Sequence, residues 1–345
     1  MNIVVLAGGT STEREVSLSS GGMIRDALRR AGHRAVLVDV FFGLEALPEP
    51  LDAAFDGQGE ETAGIRADAP DIEAVRAQRP HSEMGDIGPH VLELCRAADV
   101  VFMGLHGENG ENGRLQALFD VVGIRYTGCG YLASALAMNK WIAKQLFAQN
   151  GIPSPRAVTL RPGEDFGKAG EVGLPCVVKP CSGGSSIGVA IARDAAQRDA
   201  ALREAFRLED EVLVEAYVQG REFSVGILGG EVLPPIEIVP KEGFYDYSHK
   251  YQAGWTEEIC PAPLPREQTE AMQRYALAVY RLLGMEVYAR VDFLMDGAGN
   301  LFCLEANTLP GMTPVSLLPQ EALAVGISFE ALCQRIIELS LGKRG

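Results

Sequence analysis

A chain of 345 residues, 47% hydrophobic and 22% charged, is too long for one ordinary core and has the balance of a soluble globular protein of two or three domains. Its formal net charge of −15 opposes a nucleic-acid partner, which demands basic patches against phosphate, and no apolar run approaches the length that spans a bilayer. Seven cysteines, an odd number without CxxC spacing, point to reduced thiols in a cytoplasm.

The opening run MNIVVLAGGTS lacks a basic leader and is expected to be a buried strand rather than a signal peptide. Met23, Ile24, Ala27, Leu28 and Ala31 then recur at helical spacing, and Gly32 ends that helix. AVLVDVFF is a second strand. Residues 41–90 break the pattern, with five prolines and 11 acidic against 3 basic residues. They read as a polar insertion, partly helical around Ile72–Gln78. Regularity returns with the strand DVVFMGLHG, a helix over Gly113–Val122, a short strand IRYTG and a helix over Leu132–Gln149. This alternation predicts an α/β fold with a parallel layer of Rossmann type.

After GIPSPR the character changes. PCVVKP and SIGVAIA are strands around a Gly/Ser loop, a helix covers Asp194–Phe206, and EVLVEAYV is another strand. REFSVGILGGEVLPPIEIV reads as an antiparallel meander. The long loop KEGFYDYSHKYQAGWTEE follows, then a helix over Arg266–Leu283, the hairpin YARVDFLMDGAGNLFCLEANT and a closing helix near Phe329–Leu341. Three lobes are expected, over 1–128, 129–215 and 216–345.

The hairpin carries the first chemical signal. Arg290 and Asp292 lie two apart and share a strand face, as Glu305 and Asn307 do on the partner strand. A turn at GlyAlaGly (297–299) sets Asp292 against Glu305 and Arg290 against Asn307, with Val291, Phe293, Leu304 and Ala306 on the other, buried face. Like charges so opposed destabilise the sheet unless solvent, a raised pKa or a cation relieves them. Oxygen-only donors without clustered His or Cys suit a hard ion, Mg²⁺ or Mn²⁺. The same hairpin also reads as a solvated acidic edge. In VVKPCSGGSSIGVAI, Lys179 sits inside a strand, Gly183 and Gly184 let backbone N–H groups turn inward, and Ser185 and Ser186 add donors. This is no Walker loop: GxxxxGK[ST] is absent and a strand follows. A flexible hairpin tip is the alternative. GlyCysGlyTyrLeuAla (128–133) matches GxGxxA but lacks the acidic residue about 20 positions on that ribose recognition requires.

Taken together, GGTSTEREVSLSSG, GLHGENGENG, ALAMNKWIAK, VVKPCSGGSSIG, VEAYVQGREFSV, FYDYSHKY, ARVDF and LEANTLPGMTPVSLLP, in this order, closely resemble the D-alanine–D-alanine ligases of the ATP-grasp superfamily. The similarity covers nearly all of the chain outside 41–90. It implies a Rossmann-like N-terminal domain followed by a two-lobed ATP-grasp fold, and an ATP-dependent ligation of two D-alanines through a D-alanyl phosphate. By the resemblance, Asp292, Glu305 and Asn307 are ligands of two Mg²⁺ (or Mn²⁺) ions. Lys140 and Lys179 contact ATP phosphates, with Lys179 also near the adenine. Ser186 belongs to the ATP loop, Glu215 and Val218 meet the adenine edge, Tyr217 lies along the base, and Glu222 takes the ribose hydroxyls. Glu13, just after the first strand, receives the ammonium of the first D-alanine. Arg290 and the N–H of Gly311 bind the oxyanion, and Ser316 and Leu317 hold the second substrate's carboxylate near His106. Lys250 reaches the γ-phosphate, and Tyr251 bonds toward Glu13 and Ser185 on a lid that excludes water.

Each of these residues has a plainer reading. Glu13 in GluArgGlu reads as a surface charge, His106 as structural, Tyr217 and Val218 as strand packing, Arg290 as the salt-bridge partner of Asp292, and the lid aromatics as anchors of an Ω-loop. CysSerGly (181–183) and Asn112 depart from the family's commoner residues. Tyr251 argues for an amine nucleophile over a hydroxyl, with D-serine as the rival acceptor. A homodimer is a further implication. An NAD-dependent oxidoreductase and a non-catalytic ATP-grasp binder are the other classes to separate.

Overall fold

The structure, a computed structural model, describes residues 1–57, 70–79, 85–184, 187–241 and 256–343. Among them the strands form three sheets.

β1 (Asn2–Ala7) is apolar after Asn2 and buried along that run, as a strand covered on both faces must be. It pairs in parallel with β2 (Arg34–Asp39) and β3 (Val100–Met103), in the order β2-β1-β3. α1 (Arg14–Arg30) makes the crossover from β1 to β2. It begins well before the apolar spacing of Met23–Ala31 suggests, because Val16, Ser17 and Ser20 already belong to its buried face and Met23 is exposed. Between β2 and β3, Leu51–Asp56 forms a 3₁₀ turn, and α2 (Ile72–Ala77) and α3 (Val91–Ala97) follow. The acidic segment is therefore not wholly a polar insertion. Phe55 is in the core, Arg34 pairs with Asp52 and Asp56 at 2.7 and 2.6 Å, and Arg76 pairs with Asp86 at 2.7 Å.

α4 (Glu108–Glu111) and α5 (Arg114–Val122) come next, and IRYTG contributes only an isolated parallel bridge from Tyr126 to Val101. The single helix expected over Leu132–Gln149 is two, α6 (Tyr131–Met138) and α7 (Lys140–Gln149). Asn139 divides them: its extended backbone ends α6 and its side chain accepts from Ile142 N at 3.0 Å to cap α7. That break places Lys140 at the first turn of α7, with its own N–H donating to Cys181 O.

The second sheet is antiparallel, β4-β7-β5-β6, from β4 (Ala157–Leu160), β5 (Cys176–Pro180), β6 (Ala190–Ala192) and, beyond α8 (Ala195–Ala205), β7 (Val212–Ala216). The strand read in SIGVAIA is confined to Ala190–Ala192.

The third sheet holds β8 (Gly220–Leu228), β9 (Glu231–Val232), β10 (Ile236–Pro240), β11 (Thr256–Ile259), then, after α9 (Arg266–Leu282), β12 (Tyr288–Asp296) and β13 (Leu301–Asn307). Its antiparallel order is β11-β10-β8-β12-β13, with β9 on β8. One face buries Phe223, Val225, Val291, Phe293 and Ala306 against α9, α6 and α7. The other is partly covered by α10 (Leu317–Ala324), whose Leu317 packs with Ile236 and Ile238. The closing α11 (Phe329–Leu341) returns to the first lobe, where Leu332, Cys333, Ile336 and Ile337 join the core around α1 and β1.

Candidate active site

Ladder register lays the site out in rows on the open face of the third sheet. Glu305, Asp292, Ser224 and Ile236 oppose one another across β13, β12, β8 and β10; Asn307, Arg290 and Gly226 form the next row. Directly opposed residues share a face, so each row is one line of side chains. A hairpin symmetric about Ala298 would pair Asp292 with Leu304 and turn Glu305 and Asn307 into the core. A β-bulge between Asp292 and Phe293 adds one residue to β13 and corrects the phase. Leu304 therefore lines the cavity instead of the buried face expected for it, and Cys303 packs in the core.

Asp292 is 7% exposed and fully engaged. Arg290 Nε and Nη2 donate to its two oxygens at 2.9 Å each, Ser224 Oγ donates to Oδ1 at 2.7 Å, and Asn307 Nδ2 donates to Oδ2 at 2.9 Å. The salt bridge read as the alternative role of Arg290 is thus present, and it fixes the guanidinium's orientation. Asn307's amide nitrogen is spent on Asp292, so its carbonyl oxygen is the donor left for a cation. Glu305 faces Lys140 Nζ at 3.4 Å. Two carboxylates and an amide oxygen on one face fit a hard cation, although among the described residues no group of three His, Cys, Asp or Glu is arranged around one point.

Two cavities meet here. The first, about 240 Å³, is lined by Glu13, His106, Glu111, Lys140, Arg290, Asp292, Glu305, Asn307, Gly311, Ser316 and Leu317. The second, about 470 Å³, is lined by Lys179, Glu215, Tyr217, Val218, Glu222 and Arg221 among others. Lys140, Gly183, Gly184, Glu222 and Glu305 belong to both. Ser185, Ser186, Lys250 and Tyr251 lie outside the described residues; every other residue given a catalytic, binding or metal role by the resemblance borders one cavity or the other.

Glu13 is no surface charge. It is the N-cap position of α1, 8% exposed, and its carboxylate would touch a methyl group at Gly107 or Gly184, at 2.9 and 2.7 Å. Both glycines are needed for the loops to approach it. Ser11 holds this turn by donating to His106 O at 2.7 Å. The buried His106 imidazole lies within 3.2 Å of Ser20 Oγ and of Leu309 O, and burial pushes its pKa down, so it is neutral near pH 7. Ser316 occupies the N-cap position of α10, and its hydroxyl turns away from the helix to lie 2.8 Å from Thr313 Oγ1.

In the second cavity Glu215 sits between two ammoniums, Lys179 at 2.5 Å and Lys144 at 2.9 Å. Burial works against its charge, but the two lysines outweigh it and hold its pKa at about 2. Lys144 is also anchored to Ser154 Oγ at 2.6 Å. The triad carries one net positive charge, suited to an anionic ligand above it.

Three carboxylates near the site escaped sequence reasoning: Glu111, Glu258 and Glu321. Burial, and then the charge of Glu13, raises Glu111 to about 8, while Gly107 N donates to it at 2.7 Å. The repeated GluAsnGly around it was a signal, but one that offered no side-chain direction. Gly128, first of the GxGxxA match, packs against Tyr288 and Leu309, where a nucleotide has no room.

A Rossmann-type parallel layer followed by two antiparallel lobes that close over a cleft lined by lysines and carboxylates defines an ATP-grasp protein. Family models described as "D-ala D-ala ligase N-terminus" and "D-ala D-ala ligase C-terminus" match residues 2–129 and 146–338. Curated D-alanine–D-alanine ligases of Pediococcus pentosaceus and Lacticaseibacillus casei are 44% and 40% identical, over 100% and 98% of this chain and 98% and 95% of their own. A crystal structure of the D-alanine–D-alanine ligase from Bacillus anthracis complexed with ATP superposes with a TM-score of 0.76 at 30% identity, covering 99% of this chain and 97% of that one. The chain belongs to the D-alanine–D-alanine ligase family.

Proposed function

We propose that the protein joins two D-alanines into D-alanyl-D-alanine at the expense of ATP, through a D-alanyl phosphate, for peptidoglycan precursor synthesis. The observation that carries this reading is the meeting of the two cavities at Lys140 and Glu305. It sets a nucleotide-sized, cation-floored space end to end with one walled by Glu13, Arg290, Gly311 and Ser316.

In this reading the nucleotide's base lies along Tyr217 and Val218, its edge read by Glu215, with Glu222 on the ribose and Lys140 and Lys179 toward the phosphates. Glu13 takes the ammonium of the first D-alanine. A carboxylate oxygen of that substrate attacks the γ-phosphorus and ADP leaves. The amine of the second D-alanine, held by its carboxylate at Ser316 and Leu317 near His106, then attacks the acyl carbon and expels phosphate. Arg290 and the Gly311 N–H face the developing oxyanion, and removing one such donor typically costs about 3 kcal/mol. Arg290 needs no reorganisation, because Asp292 already holds it in bidentate fashion.

Asp292, Glu305 and Asn307 would hold two Mg²⁺ or Mn²⁺ ions, which when bound neutralise charge on the transferring phosphoryl group. Ser185, Ser186, Lys250 and Tyr251 enter on resemblance alone, the last two as a lid. The same reading divides the chain into lobes 1–128, 129–215 and 216–345 and carries with it a cytoplasmic location and a homodimeric state. Among the described residues no helix is long and apolar enough to cross a membrane.

A phosphate-release assay over D- and L-amino acids tests this. Release should require D-alanine and Mg²⁺, fail with L-alanine, and fall about 100-fold or more in Glu305→Gln. A strong preference for D-serine as acceptor would change the substrate; release indifferent to Glu305→Gln would overturn the site.

A further inference from the structure

We infer that Glu258 is a specificity-determining residue for the acceptor: its carboxylate selects a second substrate carrying an ammonium over one carrying a hydroxyl. The inference rests on the proposed ligation and adds to it a residue to which the motif resemblance gives no part.

Placement comes first. Glu258 opposes Ile238 on β10, and Ile238 opposes Glu222 on β8. The row Glu222–Ile238–Glu258 therefore lies on the open face of the sheet, two residues along from the row that holds Asp292. Glu258 lines the same cavity as Arg290, Ser316 and Leu317.

Its position is also fixed. Gln320 Nε2 donates to Glu258 Oε2, and it bonds Val315 O at 2.7 Å. Gln320 lies in the first turn of α10, directly after Ser316 at its N-cap position. The carboxylate is thus tied within one helical turn of the residues assigned to the acceptor's carboxylate. A D-alanine anchored there has its nitrogen only a few ångströms away, within reach of this wall.

The charge balance supplies the reason. Glu258 is partly buried, and Arg290, the cation facing it, is already held at both Nε and Nη2 by Asp292. An incoming ammonium is a better counter-charge for Glu258 than a guanidinium it must share. A hydroxy acid donates a hydrogen bond there but brings no charge, and leaves the partly desolvated carboxylate uncompensated.

The test uses the full chain with ATP and Mg²⁺. Glu258→Gln keeps the acceptor for Gln320's amide and removes only the charge. It should raise the KM for the acceptor D-alanine about fivefold to tenfold, more than kcat falls, and leave the KM for ATP where it was. With D-alanine and D-lactate competing, the share of depsipeptide should rise by a similar factor. Glu258→Asp should recover part of the loss, and Glu258→Ala should reproduce the shift if the Gln variant folds poorly. An acceptor KM and product ratio within twofold of the unsubstituted protein would overturn the inference, even with a lowered Tm, since Glu258 would then be only the wall that Gln320 leans on. Absence of any dipeptide from the unsubstituted protein would instead overturn the proposed ligation, and this inference with it.

Discussion

Glu111 and Glu13 sit on the same cavity wall, and their proximity makes one carboxyl's proton depend on the other. Burial and then Glu13 raise Glu111 from 4.5 to about 8, so the folded protein holds a proton there that the unfolded chain has released at neutral pH. The sign follows from linkage: the contribution is fully present below about pH 4.5 and is lost as pH rises through about 8. Chemical denaturation at pH 5 and pH 8.5 should therefore show a loss of stability across that window that Glu111→Gln reduces. An identical loss in both proteins would mean Glu111 does not hold the proton. Residue type and spacing mark Arg290 and Asp292 as candidates in the sequence, and the family resemblance adds Glu13. They did not mark Glu111, Glu258 or Glu321, because burial and cross-strand neighbours give those carboxyls their character. Glu321 is the extreme case: one oxygen accepts from Gly226 N at 2.9 Å, and a methyl group at Gly226 would lie 2.6 Å from the other. Nothing local in SerLeuLeuProGlnGlu announces that fit.

At the scale of elements, the hairpin and the lysine pair show opposite degrees of legibility. Period-2 alternation was enough to pair Asp292 with Glu305 and Arg290 with Asn307. It misplaced Leu304, since a bulge costs one residue of phase and leaves no mark in composition. The Lys144–Glu215–Lys179 clamp was half visible. Lys179 stands out inside a strand, whereas nothing local in the sequence distinguishes Lys144, four residues after Lys140 on a helix, and only tertiary packing buries it. Two ammoniums around one buried carboxylate make a high-stakes arrangement. Removing the carboxylate's charge leaves both uncompensated, which typically costs about 3–5 kcal/mol. Glu215→Gln should lower unfolding free energy by roughly that amount at pH 7. The clamp's own pH limit lies far to the acid side: its contribution is present above 4.5 and lost only as pH falls toward about 2. Urea denaturation checks the prediction, and an unchanged midpoint would show that the charge of Glu215 does not stabilise the fold.

At the scale of the molecule, the site belongs to no single sheet. Glu13 and His106 come from the parallel layer, Lys179 and Glu215 from the second sheet, and Arg290, Asp292, Glu305 and Asn307 from the third. α11 locks the last lobe to the first through the core around α1 and a 2.9 Å pair of Arg30 with Glu330. The order of elements in the chain predicted the layers. It could not predict that the C-terminal helix folds back on the first of them, a contact between residues about 300 positions apart. That closure brings Glu13, Arg290 and Gly311 into a cavity that adjoins the one lined by Lys179 and Glu215, and the proposed chemistry demands a carboxyl oxygen of D-alanine where the two meet. The most direct measurement follows that oxygen. With D-alanine labelled by ¹⁸O in its carboxyl group, an acyl phosphate intermediate transfers one labelled oxygen to the inorganic phosphate released in each turnover, detectable by mass spectrometry or by the isotope shift of the phosphorus resonance. Labelled phosphate in step with dipeptide is the predicted result; dipeptide formed with unlabelled phosphate would contradict the account.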